Sequence, residues 1–233
     1  MARGYFVTGT DTGVGKTTVA VALIHALRRR GFKVAAMKPV AAGCVWLDGQ
    51  LRNDDVVALS AAADVKADPA IINPYAFIPA IAPHIAAAQV DVEIELDKIT
   101  SAYAALSQVA DVVVVEGVGG FCVPLSEHLD TADLAQALGL PVMLVVGMRL
   151  GCLNHALLTA EAIQNRGLKL AGWIANVLTT DMPALAENLV ALQRRLPMAY
   201  LGKMLNSSLT PFDSAACHME WVESSACAQI LGH

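Results

Sequence analysis

Short apolar runs rich in β-branched residues recur along the chain, and the segments between them repeat their apolar positions at helical spacing. Five runs predict strands, at residues 5–8, 33–38, 112–115, 142–146 and 170–175, and a shorter sixth is expected at 199–201. Helices are expected from about Lys16 to Arg30, where Gly31 ends the pattern, and over 153–165, where Arg166-Gly167 does the same. The run at 112–115 is unbroken between Asp111 and Glu116, as for a parallel strand covered on both faces, and is expected mid-sheet. Residues 67–83 hold Pro69, Pro74, Pro79 and Pro83 and are expected to form a long structured loop. Beyond Gly202 the pattern weakens, and no element is assigned there. No repeat, linker or charge block marks a boundary. The expectation is therefore one domain over residues 1–233: an α/β fold with a mostly parallel, doubly wound sheet flanked by helices.

Composition narrows the class of protein. Of 233 residues, 55% are hydrophobic and 16% charged, which excludes a disordered, collagen-like or coiled-coil chain. The net charge of −5 argues against the broad basic surface that nucleic-acid binding needs. The longest apolar stretch, residues 138–148, is interrupted by Gly139, Pro141 and Gly147 and falls short of the roughly 18 residues that span a bilayer. Residues 1–4 carry one Arg, and the apolar run after them breaks at Thr8-Gly9 without a cleavage pattern, so a cytoplasmic protein without membrane attachment is expected. Five cysteines, odd in number, widely spaced and without a Cys-x-x-Cys pair, favour reduced thiols over a disulfide framework or a zinc site.

The chemistry starts at Gly9-Thr10-Asp11-Thr12-Gly13-Val14-Gly15-Lys16-Thr17-Thr18, which follows a predicted strand and opens a predicted helix. That context and composition are those of a phosphate-binding loop, in a variant with five residues between Gly9 and Gly15 in place of four. Backbone N–H groups of such a loop turn inward around an anion and the helix N-terminus adds partial positive charge. Lys16 reaches the β and γ phosphates, and the Thr17 hydroxyl ligates Mg²⁺. The bland alternative, a glycine turn with a chance lysine, does not account for strand, glycines, Lys-Thr and helix together. Asp11 stands where partition-type regulatory ATPases carry an extra lysine, which argues against that subgroup, and no Asn-Lys-x-Asp segment suggests a guanine reader. These features favour a metabolic user of ATP.

Two further strand ends supply candidates. Lys38, in Met37-Lys38-Pro39-Val40-Ala41-Ala42-Gly43, ends the second strand and should reach the same sheet edge as Lys16. Glu116, in Val115-Glu116-Gly117-Val118-Gly119-Gly120, ends the third, and a carboxylate there suits a metal that bridges phosphates. Asp54 and Asp55 offer another carboxylate, unless they only decorate a helix start.

Taken together these segments resemble the dethiobiotin synthetase family from Tyr5 to about Gly202. The resemblance rests on the Tyr5-to-Thr12 run leading into Val14-Gly15-Lys16-Thr17, on Lys38-Pro39-Val40, Leu51-Arg52-Asn53, Asn73-Pro74-Tyr75 and Val115-Glu116-Gly117 with Gly119-Gly120, and on Leu150-Gly151-Cys152 with Asn154-His155. It implies an ATP-dependent ring closure of 7,8-diaminopelargonate with CO₂, through a carbamate and a carbamic-phosphoric anhydride, in biotin biosynthesis. Lys16 and Lys38 would be the catalytic cations, and Thr17, Asp55 and Glu116 the Mg²⁺ ligands. The nucleotide would lie against residues 13–18 (Gly13, Val14, Gly15, Lys16, Thr17, Thr18), Asp55, Glu116, Gly117, Val118 and Gly119, with Asn176 at the adenine edge beside Val177, and Leu205, Asn206 and Ser207 nearby. The substrate would meet Thr12, Lys38, Ala42 and Gly119. The resemblance also implies a homodimer in which Leu150, Gly151, Cys152 and Asn154 reach the partner subunit's substrate carboxylate. Three positions depart from the family pattern: Ala42 where a hydroxyl residue is expected, Asn188 in place of a Tyr, and Gly202-Lys203-Met204-Leu205 in place of a Gly-x-Ile-Pro loop over adenine. The alternatives are a partition-type regulatory ATPase and a nucleotide-binding homologue without ligase turnover.

Overall fold

The structure, a computed structural model, describes residues 2–179, 181–205 and 219–232. The first part of the chain forms β1 (Arg3–Gly9), α1 (Lys16–Arg29), β2 (Val34–Met37), β3 (Val40–Ala42), β4 (Val45–Leu47), β5 (Gln50–Arg52) and α2 (Asp54–Ala62). Then come α3 (Pro69–Ile72), β6 (Tyr75–Phe77), α4 (Pro83–Ala88), α5 (Leu96–Ser107), β7 (Val112–Glu116), α6 (Thr131–Leu138) and β8 (Val142–Met148). The remainder forms α7 (Cys152–Asn165), β9 (Leu170–Val177), α8 (Leu185–Arg195), β10 (Tyr200–Met204), β11 (Met219–Trp221) and α9 (Ser225–Leu231).

Seven strands make the main sheet in the order β11-β10-β9-β8-β1-β7-β2. All neighbours are parallel except β11, which runs antiparallel along β10. The period of two along each strand divides the core. Val112 and Val114 face the cluster built on α1, while Val113 and Val115 face the one that holds Ile99 and Leu106 of α5. Each such aliphatic side chain, removed from water, stabilises by roughly 1.5–3 kcal/mol, and burial on both faces is why these strands read as unbroken apolar runs. A third cluster joins β8 and β9 to α7 and α8. Because β1, β2, β7 and β8 run parallel, their C-terminal ends lie on one edge, where parallel sheets hold ligands. Among the described residues no helix is long and apolar enough to cross a membrane.

Two regions differ from expectation. Residues 67–83 are not one loop: they contain α3 and β6 and lead into α4. Pro69 and Pro83 occupy first-turn helix positions, where the missing N–H is not needed, and the Asp68 carboxylate caps α3 by accepting from Ala70 N at 2.9 Å. Among the described residues the Tyr75–Phe77 strand pairs only with β3, so flanking prolines interrupt no central ladder. In the tail, residues 202–204 are not a loop but the end of β10. Gly202 has φ +147°, and a Cβ there would lie 2.1 Å from the Glu220 carbonyl oxygen of β11, so that close strand approach requires glycine.

Candidate active site

The loop between β1 and α1 is pinned to its neighbours by backbone contacts. Thr10 N donates to Val145 O at 3.0 Å, and the Asn176 carboxamide at the end of β9 donates to Val14 O at 2.8 Å. Val14 is itself buried and packs over Gly147 of β8. Gly15, at φ +83°, precedes α1 in the left-handed region, and a Cβ there would lie 2.0 Å from Asn176 Nδ2. Among the described residues no side chain caps α1, which leaves its first N–H groups to an anion.

This loop forms one wall of a cavity of about 650 Å³. The loop contributes Thr12, Gly13, Gly15, Lys16, Thr17 and Thr18; Lys38 and Ala42 enter from the end of β2 and from β3, Asn53 and Asp55 from the start of α2, and Glu116, Val118 and Gly119 from the end of β7. Residues Ala80 to Pro83 and Val123 close the remaining side.

Glu116 is fully buried, and its Oε1 accepts from the Thr17 hydroxyl at 2.9 Å and from Lys38 Nζ at 2.5 Å. Lys38 Nζ also donates to Asp55 Oδ2 at 2.8 Å and lies 3.5 Å from Gly117 O. Burial of Lys38 favours the neutral amine, but the carboxylates of Glu116 and Asp55 outweigh it and raise its pKa, so the ammonium stays charged. Burial likewise pushes the Glu116 carboxyl up against the attraction of Lys38. Burial also acts upward on Asp55, yet Lys38, with help from the Thr17 hydroxyl, holds it below the usual carboxylate range. Lys16 Nζ donates to the Asp11 carbonyl at 3.2 Å. Its burial, reinforced by the nearby Lys38 charge, pulls its pKa down to about 8. Two lysines and two carboxylates therefore face one polar cavity at the strand ends.

Thr17, Asp55 and Glu116 offer hard oxygen ligands, and Glu116 Oε2 is buried without a partner among the described residues. That set fits Mg²⁺, which takes one or two carboxylates and completes its octahedron with phosphate and water. Among the described residues no group of three His, Cys, Asp or Glu side chains gathers as a self-sufficient metal site.

Other residues expected at the site lie elsewhere. Gly117 supports it through its carbonyl, and Val14 and Val177 are buried in the core. Asn176 lies behind the phosphate loop with one amide hydrogen committed to Val14 O, not along the cavity wall. Leu205 is exposed after β10, and Asn206 and Ser207 lie outside the described residues. Leu150, Gly151, Cys152 and Asn154 form the start of α7 outside the cavity: Leu150 is fully exposed, Cys152 buried and Asn154 exposed. Arg149 beside them forms an ion pair with Asp11 of the phosphate loop. Asn188 is on α8, where it donates to Ala184 O at 2.8 Å. Asn53, with no role expected from sequence, lines the cavity as the cap of α2; an asparagine followed by two aspartates is the signal for such a cap.

A strand, a glycine-rich loop around a buried lysine, and a helix opening onto a cavity with acidic strand-end residues define a P-loop nucleotide-binding protein. A family model described as an AAA domain matches residues 3–209. The fold is shared with the septum site-determining protein MinD from Pyrococcus horikoshii, complexed with Mg-ADP (TM-score 0.58, 18% identity, covering 99% of this chain and 93% of that one). It is also shared with a ParA family ATPase from Chlorobium tepidum (TM-score 0.55, 15% identity, 99% and 96%). Sequence is more specific. The chain is 53% identical over 205 residues to the ATP-dependent dethiobiotin synthetase of Nitrosospira multiformis, covering 87% of this chain and 88% of that protein. Identity to the synthetase of Aromatoleum aromaticum is 55% over 202 residues (86% and 89%), and to that of Cellvibrio japonicus 48% over 218 residues (94% and 96%). The chain belongs to the dethiobiotin synthetase family.

Proposed function

We infer that this protein is an ATP-dependent dethiobiotin synthetase acting on 7,8-diaminopelargonate and CO₂ or bicarbonate. The observation that carries the reading is the convergence of Lys16, Lys38, Thr17, Asp55 and Glu116 on one cavity beside the phosphate loop, in a chain of this family. One substrate amine takes up CO₂ as a carbamate, whose oxygen attacks the γ-phosphoryl and releases ADP. The second amine then attacks the carbamoyl carbon and expels phosphate, closing the cyclic urea. Negative charge develops on oxygen at both stages, so the protein's task is to hold cations where that charge appears. Lys38, kept protonated by two carboxylates, serves the carbamate and the transferring phosphoryl; Lys16 serves the β and γ phosphates. Mg²⁺, held by Thr17, Asp55 and Glu116, would neutralise phosphate charge when bound. Thr12, Ala42 and Gly119 are the walls next to the substrate. No side-chain nucleophile is called for.

The finer assignments belong to the same proposal: a single domain over residues 1–233, working in the cytoplasm as a homodimer, with the segment at Leu150, Gly151, Cys152 and Asn154, exposed except at Cys152, presented to the partner's substrate and Asn176 facing adenine through its remaining groups. A partition-type regulatory ATPase is not favoured. The MinD and ParA likenesses concern the fold, and Asp11 here makes an ion pair with Arg149 in the position of that subgroup's extra lysine. The presence of both lysines and all three oxygen ligands likewise argues against a binder without turnover.

The test is phosphate release from Mg-ATP with and without diaminopelargonate plus bicarbonate. Release that requires the diamine is expected; release indifferent to it refutes the ligase.

A further inference from the structure

Lys38 lies where the backbone turns out of the main sheet. The strand ends at Met37, and Pro39, which has no N–H, starts a strap over residues 38–42 that leaves the main sheet to pair with β6. Backbone bonds fix part of it: Lys38 N donates to Ile72 O at 2.9 Å and Tyr75 N to Pro39 O at 3.1 Å. The carbonyls at the two ends, those of Lys38 and Ala42, are taken by side chains. Asn73 Nδ2 donates to Lys38 O at 2.6 Å and to Tyr75 O at 3.0 Å. Asn53 Nδ2 donates to Ala42 O at 3.1 Å, while Asn53 Oδ1 accepts from Asp55 N at 3.1 Å and Val56 N at 3.4 Å.

These bonds close a ring. From the Lys38 backbone the path runs along the strap to Ala42 O, through the Asn53 carboxamide to the first turn of α2, into Asp55, and back by the 2.8 Å ion pair to Lys38 Nζ. The Asn53 carboxamide suits this place because its Nδ2 donates to the strap while its Oδ1, a separate atom, accepts from two amides of α2; a carboxylate keeps the acceptor and loses the donor. At Asn73 the amide nitrogen bonds two carbonyls, that of Lys38, 35 residues back in the chain, and that of Tyr75, two residues on at the start of β6. We propose that Asn73 and Asn53 are positioning residues for the phosphoryl-transfer site: Asn73 sets the backbone from which Lys38 projects, and Asn53 sets the distance between the strap and Asp55. The proposal rests on the ligase reading given above.

Misplacing a catalytic group by a fraction of an ångström costs turnover more than nucleotide binding, since the phosphate loop that binds ADP is built on other elements. The variants are Asn73→Ala, Asn53→Ala and Asn53→Asp, the last keeping the cap acceptor and losing the donor. The diamine-dependent kcat should fall by about tenfold or more in both alanine variants, with metal-free ADP affinity, measured by calorimetry in EDTA, within about twofold of wild type. Asn53→Ala should also raise the Mg²⁺ concentration for half-maximal rate, Asn53→Asp, which keeps the cap but not the link to the strap, should restore little of that shift, and Asn73→Ala should leave it unmoved; full rescue by Asn53→Asp would reduce Asn53 to a helix cap and overturn its part of the proposal. A purely structural role lowers Tm with kcat intact, and that result overturns the proposal, as does loss of kcat with equal loss of ADP affinity. If an alanine variant does not fold, Asn→Ser at the same position is read by the same criteria. A wild type without diamine-dependent release sinks the ligase reading; a wild type that has it beside unaffected variants sinks this inference alone.

Discussion

The Lys38→Met substitution isolates the electrostatics of the site. Lys38 and Glu116 have side chains 4% and 0% exposed, so the variant leaves a carboxyl in the core with its cation gone. Losing one partner of a buried pair destabilises by about 3–5 kcal/mol, against about 0–1 kcal/mol for an exposed pair. A second limit applies here, because Glu116 can escape by taking up a proton. With an ordinary glutamate pKa of about 4.3 and 1.36 kcal/mol per unit, protonation at pH 7 costs ~3.7 kcal/mol, which caps the penalty. At pH 5 the same cap is only about 1 kcal/mol. The sign follows from proton counting. In the variant the folded state holds a proton that the unfolded state releases, so stability falls as pH rises above the unfolded pKa, by ~1.4 kcal/mol per unit until the raised folded pKa is passed. Urea titrations of wild type and Lys38→Met at pH 5, 6 and 7 in EDTA would measure the difference, and adding Glu116→Gln to the variant should flatten its slope. A stability difference that does not change from pH 5 to 7 would refute the reasoning and mean that Glu116 finds water or another partner when Lys38 is gone.

Other predictions concern the phosphate loop. With Lys16 at a pKa of about 8 in the free protein, nucleotide binding at pH 8 should take up about half a proton as the phosphates restore its charge. Calorimetry in buffers of different ionisation enthalpy reads this, and affinity should weaken above pH 8 while staying level below 7; no proton uptake contradicts the depressed lysine. Gly15→Ala should weaken ADP binding at least about tenfold, since φ +83° strains alanine by ~1–2 kcal/mol and the new methyl displaces Asn176; unchanged affinity contradicts it. Arg149→Ala breaks an ion pair with side chains 47% and 45% exposed, and should cost no more than about 1 kcal/mol in denaturant titration.

Much of this was local enough to be written in the chain. The strands at Val112–Glu116 and Val142–Met148 are buried on both faces, so the apolar runs at 112–115 and 142–146 are continuous and reveal them directly. The phosphate loop is legible because its glycines, Lys16 and Thr17 act within one turn of backbone. Strands of three residues, such as β3 and β6, are too short to show a period, and the prolines around β6 conceal it. Asp54 and Asp55 are equivalent in sequence; the Asn53 cap turns α2 so that Asp55 meets Lys38 while Asp54 is exposed.

The sequence by itself determined which elements form and which residue types are available: the alternation of strand and helix, the anion loop, and the charged residues at the ends of buried strands. Only the tertiary structure decided which of them meet. Lys38 and Glu116 are 78 residues apart in the chain, and Thr17 and Glu116 are 99 apart, yet each pair is in hydrogen-bond contact. Strand order brings them together, since β7 lies between β1 and β2 and carries Glu116 to the crevice between Thr17 and Lys38. The same burial that shapes the core sets the charges there, as it depresses Lys16 while the carboxylates beside Lys38 keep that ammonium charged. Propensity and spacing act over a few residues; electrostatic coupling depends on distance and desolvation, and the chain acquires both only when the sheet closes.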